Sequence, residues 1–141
     1  MIYDALETKL VNTSAVTSLI ATYEFTTGSA TPAVFTSPSV PDDAEYPLIH
    51  ISHVSGTMWD TRDAKGSDML SDIIIYDDKE FSGNNLETIA WAVWNALHRT
   101  RLTISGYDAW MCICDTPRVN NDPDGFPGFL IQTRIKFLET T

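Results

Sequence analysis

The chain has 141 residues, of which 43% are hydrophobic and 20% are charged, a balance typical of one globular domain rather than of a disordered segment. Its net charge is −10 and its nine Lys and Arg residues form no basic run, which argues against direct binding of nucleic acid or of an anionic membrane, because both attract clustered positive charge. No stretch approaches the roughly 20 apolar residues that span a bilayer, and the N-terminus lacks the apolar region of a secretion signal, so we expect a chain made and folded in the cytosol.

The N-terminal segment has the apolar spacing of short helices. Ile2, Leu6 and Leu10 recur every four residues, which places them on one face of a helix. A second short turn follows, with Val16 and Leu19 among its apolar positions. The chain is therefore expected to open with a pair of short helical segments.

Residues 26–47 interrupt this regular pattern. Four prolines lie in this range, together with Gly28 and several Ser and Thr residues, and proline cannot donate to a backbone ladder. A short extended piece at residues 33–35 is the only regular element that we expect here. The segment is predicted to be a flexible, proline-rich arm.

Residues 48–54 and 67–77 are rich in β-forming side chains and are bounded by turn-forming residues, so each is predicted to be a strand. The segment between them is mostly polar, with Met58 and Trp59 as the large apolar exceptions. We expect one long hairpin that carries these two residues near its tip.

The clearest element lies at residues 84–99. Its apolar residues follow the i, i+3, i+4, i+7 spacing of an amphipathic helix without a gap, and they are Leu86, Ile89, Ala90, Val93, Trp94 and Leu97. This segment is predicted to be the one long helix of the fold.

Two further strands are predicted at residues 107–115 and 129–137. In the second, apolar and polar residues alternate, so one face is expected in the core and the other in water. In the first, alternation places Trp110, Cys112 and Cys114 on one face. The Cα atoms of the two cysteines would lie about 6.6–6.8 Å apart, at the limit of disulfide geometry, so we expect two buried free thiols.

These elements predict a single α+β domain over residues 1–141. Its core would be an antiparallel sheet of about four strands in two hairpins. The long helix and the short N-terminal helical pair would pack on one face of that sheet.

No reactive constellation emerges from the sequence. His50 and His53 would point to opposite faces of one strand, so they cannot share a metal. The acidic stretch at residues 120–125 resembles the start of a calcium loop, but its twelfth position is Ile131 rather than Glu, so we expect a polar turn. We therefore predict no catalytic residues, no metal, no cofactor and no enzymatic activity.

The whole pattern resembles the tail-completion, or tail-terminator, proteins of long-tailed bacteriophages and prophages. The similarity lies in MIYDAL at residues 1–6, AVTSLI at 15–20, YPLIHI at 46–51, the helix at 86–97 and the strand at 129–137. The chain departs from that family in its longer proline-rich arm.

The resemblance implies a structural virion protein at the head-proximal end of the tail. Such subunits form a ring, commonly a hexamer, that caps the tail tube and joins it to the head. The implied partners are other copies of the chain, the tail tube protein and the head–tail connector protein, while DNA passes through the ring without specific binding and no membrane is involved.

The hairpin tip and the proline-rich arm are the segments that we expect to contact other chains, because Trp is enriched at interfaces. The predicted interface residues are Met58, Trp59, Asp60, Arg62, Val34, Phe35, Asp42 and Asp43. The alternative is a small acidic protein-binding module, an inhibitor or DNA mimic, that forms no ring.

Overall fold

A computed structural model describes residues 2–36, 39–78 and 85–140 of the chain. Within them, helix α1 spans Ile2–Val11, α2 spans Ser14–Thr17 and α3 spans Asn85–Leu97. The apolar spacing of the sequence predicts helical segments at these three places, and the helices are present there.

Strands make up most of the remaining regular structure in the described residues. In chain order they are β1 Thr22–Thr26, β2 Ser29–Pro32, β3 Val34–Phe35, β4 Leu48–Met58, β5 Gly66–Tyr76, β6 Thr100–Arg101, β7 Tyr107–Ala109, β8 Met111–Cys114, β9 Arg118–Val119 and β10 Gly128–Glu139.

The predicted α+β fold with an antiparallel sheet of about four strands in two hairpins is wrong. Over the described residues, the main sheet has eight strands in the order β3-β4-β5-β10-β8-β6, with β7 and β9 also paired to β10. It is mixed, because β3 runs parallel to β4, and β10 joins the two predicted hairpins by pairing with β5 over its whole length. Strands of two or three residues, such as β3, β6, β7 and β9, are too short to display the alternation by which strands are detected in a sequence.

Part of the predicted proline-rich arm is regular structure. β2 pairs with β1 in a small separate sheet, and β3 lies beside β4 at the edge of the main sheet. The expectation that prolines would prevent a ladder is wrong for β2, whereas β3 lies within the short extended piece expected at residues 33–35. Pro32 lies opposite Thr22 at the end of its ladder, where a missing N–H removes no interior bond.

The main core lies between the helices and one face of the main sheet. Ile73 and Ile75 on β5 and Ile131 and Ile135 on β10 point to the same face of the sheet, and all four are fully buried. The helices cover them with their own apolar side chains, among which Leu6, Leu10, Ile89, Val93 and Leu97 are fully buried.

A second, smaller apolar cluster lies apart from this core. It consists of Ala33, Phe35, Ala44 and Leu48. Because successive strand residues point to opposite faces, Leu48 enters this cluster while its neighbour Ile49 enters the main core. The segment that leads into β4 is therefore anchored by its own apolar contacts.

The two cysteines are free thiols, as predicted. Cys112 and Cys114 are both buried, and their Sγ atoms lie 3.9 Å apart. A hydrogen bond between them and burial raise the pKa of the Cys114 thiol. Neither side chain is available to a metal or an oxidant at the surface.

Candidate interaction surface

Among the described residues, no group of three or more His, Cys, Asp or Glu side chains is placed to hold a metal ion. His50 lies on β4, and the side chain of His53 lies outside the described part of the chain. The acidic calcium-like stretch forms a turn in which the carboxylate of Asp122 accepts the N–H of Asp124 at 2.8 Å. The Asp122 carbonyl accepts the N–H of Gly125 at 2.9 Å, so both acceptors are used within the turn.

At the hairpin tip, the two large apolar residues behave differently. Met58 is 80% exposed and projects from the end of β4. Trp59 folds back on the sheet, where its ring lies edge-to-face on Trp110 with 5.1 Å between centroids. The ammonium of Lys136 lies 5.3 Å from the same Trp59 ring, close enough for a cation–π contact.

The polar residues of the tip hold the loop together. The carboxylate of Asp60 accepts the N–H of Gly66 at 2.9 Å, and the N–H of Thr61 donates to the carbonyl of Ala64 at 2.9 Å. Arg62 is exposed. The tip thus presents Met58 and Arg62 on a loop closed by its own hydrogen bonds.

The prediction that Trp110 shares a face with the cysteines is wrong. Trp110 is 51% exposed, and the next two outward residues, Met111 and Ile113, are 48% and 46% exposed, whereas Cys112 and Cys114 are buried. Trp110 and Met111 are adjacent in sequence and both face away from the core.

A β-bulge explains this break in alternation. Ala109 pairs with Phe137 and Ile113 pairs with Arg134. Four steps along β7 and β8 therefore oppose three steps along β10, which means that one extra residue is inserted. The insertion shifts the alternation by one residue and turns the Trp110 side chain outward. The backbone N–H of Trp110 donates a hydrogen bond to the carbonyl of Lys136 at 2.8 Å.

These outward side chains belong to one surface, which we call the cationic patch. Leu70, Arg134 and Ile113 lie side by side in a row across β5, β10 and β8, and Leu70 is 40% exposed. A groove of about 480 Å³ runs along this surface. The patch consists of Leu70, Trp110, Met111, Ile113, Arg101, Arg134 and Lys136.

The charge of the cationic patch is opposite to that of the chain. Arg101, Arg134 and Lys136 supply three of the nine Lys and Arg residues of a chain with a net charge of −10. An ion pair at 3.5 Å joins Arg134 to Asp68, but the Arg134 side chain is 56% exposed and such a pair contributes little in water. The patch therefore joins apolar area to accessible positive charge.

Carboxylates cluster at the other end of the long strands, where Tyr46 stacks on Phe126 with 4.9 Å between centroids. Burial raises the pKa of Tyr46, and the nearby carboxylates of Asp122, Asp78 and Asp42 raise it further.

The predicted interface residues Asp42 and Asp43 are both exposed and lie in this acidic region. The hydroxyl of Tyr23 donates to the Asp43 carboxylate at 3.0 Å. That hydrogen bond is the largest of the effects that raise the pKa of Tyr23. We call residues 41–46 the acidic segment, since Asp42, Asp43 and Glu45 are its exposed residues of like charge.

Val34 and Phe35 were predicted to contact other chains, and the structure places them inside this one. Each is only 1% exposed, Val34 in the main core and Phe35 in the smaller cluster. The apolar run from Ala33 to Phe35 is typical of a buried strand. Both side chains pack within the chain and leave no surface for a neighbour.

Most of the cationic patch escapes the sequence-based prediction. Two signals point to it: Leu70 lies between Asp68 and Asp72 on the outward face of β5, and Arg134 and Lys136 follow one another on the outward face of β10. Neither signal reveals that β8 lies next to this face.

A sequence model of the family described as tail completion protein gp17 matches residues 4–135. The chain belongs to this family. Among solved structures, a chain of the virion of a native gene transfer agent particle superposes with a TM-score of 0.73 at 14% identity, covering 97% of this chain and 94% of that one. At this identity the likeness is one of fold. No curated protein matches the chain.

A tail completion protein is a structural component of the virion, and its place is the phage tail. The family resemblance seen in the sequence is therefore confirmed. The family is one of structural proteins and not a class of enzymes. Within the described residues, no helix combines the length and apolar character needed to cross a membrane.

Proposed function

We propose that this tail completion protein is the subunit of a ring, commonly sixfold, that caps the tail tube and joins it to the head connector. The observation that carries the proposal is the cationic patch. Trp110, Met111 and Ile113 are about half exposed side by side, on a sheet whose opposite face is sealed by helices. Contiguous exposed apolar area of this kind marks a protein contact.

Two unlike surfaces favour a ring over a two-fold dimer. The cationic patch extends from Leu70 on β5 across β10 and β8 to β6, whereas the acidic segment precedes β4, near the other edge of the sheet. Contact between unlike surfaces is head-to-tail, and such contacts close into rings when the rotation between neighbours allows it.

Net charge supports the passage of DNA without binding. Six copies at −10 each carry −60, and carboxylates that face a central bore would repel the DNA backbone within a Debye length, about 8 Å at physiological salt. The bore would then let DNA slide without adhering to its wall. The tail tube protein and the head–tail connector protein are the partners on its two faces.

Deleting the gene tests this role directly. We expect particles with overlong tails, or full heads without attached tails, in electron micrographs, and normal particles when the gene is supplied from a plasmid. Native mass spectrometry of the purified chain, alone and with tail tube protein, should reveal the ring. Normal tails after deletion, together with a chain that stays monomeric and binds one basic protein, would instead support the acidic binding module.

A further inference from the structure

We infer that the cationic patch of one copy receives the acidic segment of the next copy, so that these two surfaces form the contact between subunits. The inference rests on the proposed ring and adds the residues on each side of its interface. Arg101 and Arg134 are the charged anchors on one side, and Asp42 and Asp43 are their counterparts on the other.

The chemistry of the patch selects an acidic occupant. Its apolar floor is flanked by Arg101, Arg134 and Lys136, so an occupant must bring both apolar area and carboxylates. A cationic or purely apolar segment would desolvate Arg101 and Lys136 without supplying a carboxylate and would leave Arg134 with Asp68 alone, which is costly. The acidic segment meets both requirements, because Asp42 and Asp43 are exposed and the half-buried Pro41 and Tyr46 on either side of them each leave part of an apolar side chain at the surface.

The topology brings the two surfaces together when one copy follows another. The patch lies toward the β6 edge of the main sheet, and the acidic segment lies between β3 and β4 at the opposite edge. In a head-to-tail arrangement, the β3–β4 edge of one copy would face the β6 edge of the next, which would bring the acidic segment to the side of the sheet on which the patch lies. Each copy has one patch and one acidic segment, so every contact in a closed ring can be the same.

Charge reversal tests the pairing. Variant A carries Arg101→Glu and Arg134→Glu, so both of its contact surfaces are acidic. Variant B carries Asp42→Lys and Asp43→Lys, so both of its contact surfaces are basic. We expect each variant alone to form at least about tenfold less ring than the unmodified chain, because like charges opposed across an interface cost several kcal/mol.

An equimolar mixture of variants A and B should restore the ring. In the mixture, the acidic patch of A meets the basic segment of B, and the basic patch of B meets the acidic segment of A. Native mass spectrometry should therefore detect rings with equal numbers of A and B, which also demonstrates that both variants fold. The matched control for variant A is Arg118→Glu with Lys65→Glu, which makes the same change in charge at exposed positions outside the patch and should leave ring formation unchanged.

The outcomes separate this inference from the ring itself. Rings of variant A or B alone, at the level of the unmodified chain, would overturn the proposed contact and leave the ring in place. A mixture that fails to assemble although both variants give the circular dichroism of the folded chain would also overturn it. An unmodified chain that stays monomeric with tail tube protein present would overturn the ring and the contact together.

Discussion

The outward face of β8 can be tested by comparing two isoleucine-to-alanine substitutions in the isolated chain. Ile135 on β10 is fully buried, whereas Ile113 on β8 is 46% exposed. Each substitution removes three carbon atoms, which contribute about 0.8 kcal/mol each when fully buried. For Ile135→Ala the transfer loss of about 2.4 kcal/mol is joined by the cost of a cavity. The total expected decrease in the free energy of unfolding is about 2–5 kcal/mol.

For Ile113→Ala the expected decrease is about 1 kcal/mol, because roughly half of the side chain is already in water and solvent fills the space left behind. Equilibrium urea unfolding, followed by tryptophan fluorescence at a concentration where the chain is monomeric, measures both values. The unfolding slope should be the same for the two variants. Equal losses for Ile113→Ala and Ile135→Ala would refute the outward placement of Ile113 and, with it, the cationic patch.

Two further predictions concern the hairpin and pH. In Gly66→Ala the new Cβ would lie 2.5 Å from the carbonyl oxygen of Phe137 and 2.7 Å from that of Trp59. We therefore expect the free energy of unfolding, measured with urea, to fall by about 1–3 kcal/mol. The control Ser67→Ala should change it by less than about 0.5 kcal/mol. Burial and nearby carboxylates raise the pKa of Tyr46 above its ordinary 10.0. The unfolded chain therefore loses this proton at a lower pH than the folded chain. The stability that Tyr46 contributes is present below pH 10 and is lost as the pH rises beyond it. Between about pH 9 and 11, the free energy of unfolding should decline less steeply with pH in Tyr46→Phe than in the unmodified chain. An identical decline in the two proteins would contradict this explanation.

Long elements could be located from the sequence, because each repeats its period several times. α3 has 13 residues and β10 has 12, so apolar spacing of 3.6 or 2 residues is visible in them without tertiary information. The pairing of β10 with both β5 and β8 could not be derived. It depends on contacts between residues far apart in sequence. The alternation within one strand indicates which side chains are buried but not which strands pair with it.

The candidate surface could be predicted only in part, and a single inserted residue is the main reason. Alternation assigns Trp110 to the core side, but the bulge turns it outward beside Met111. A bulge of this type leaves no mark in the sequence, since Trp and Met fit a regular strand as well. Met58 and Trp59 were identified as surface candidates from their polar surroundings. The structure separates them into one projecting residue and one that packs on Trp110.

The central place of β10 has a consequence for how the molecule is made. This strand follows all the others in chain order, yet it lies between β5 and β8. Before residues 128–139 are synthesised, both neighbours have an open edge of unpaired backbone groups, and no strand joins the two halves of the sheet. Translation must therefore pass β10 before the domain closes, so a polypeptide terminated before this strand lacks the ordered face on which a virion component could be recruited.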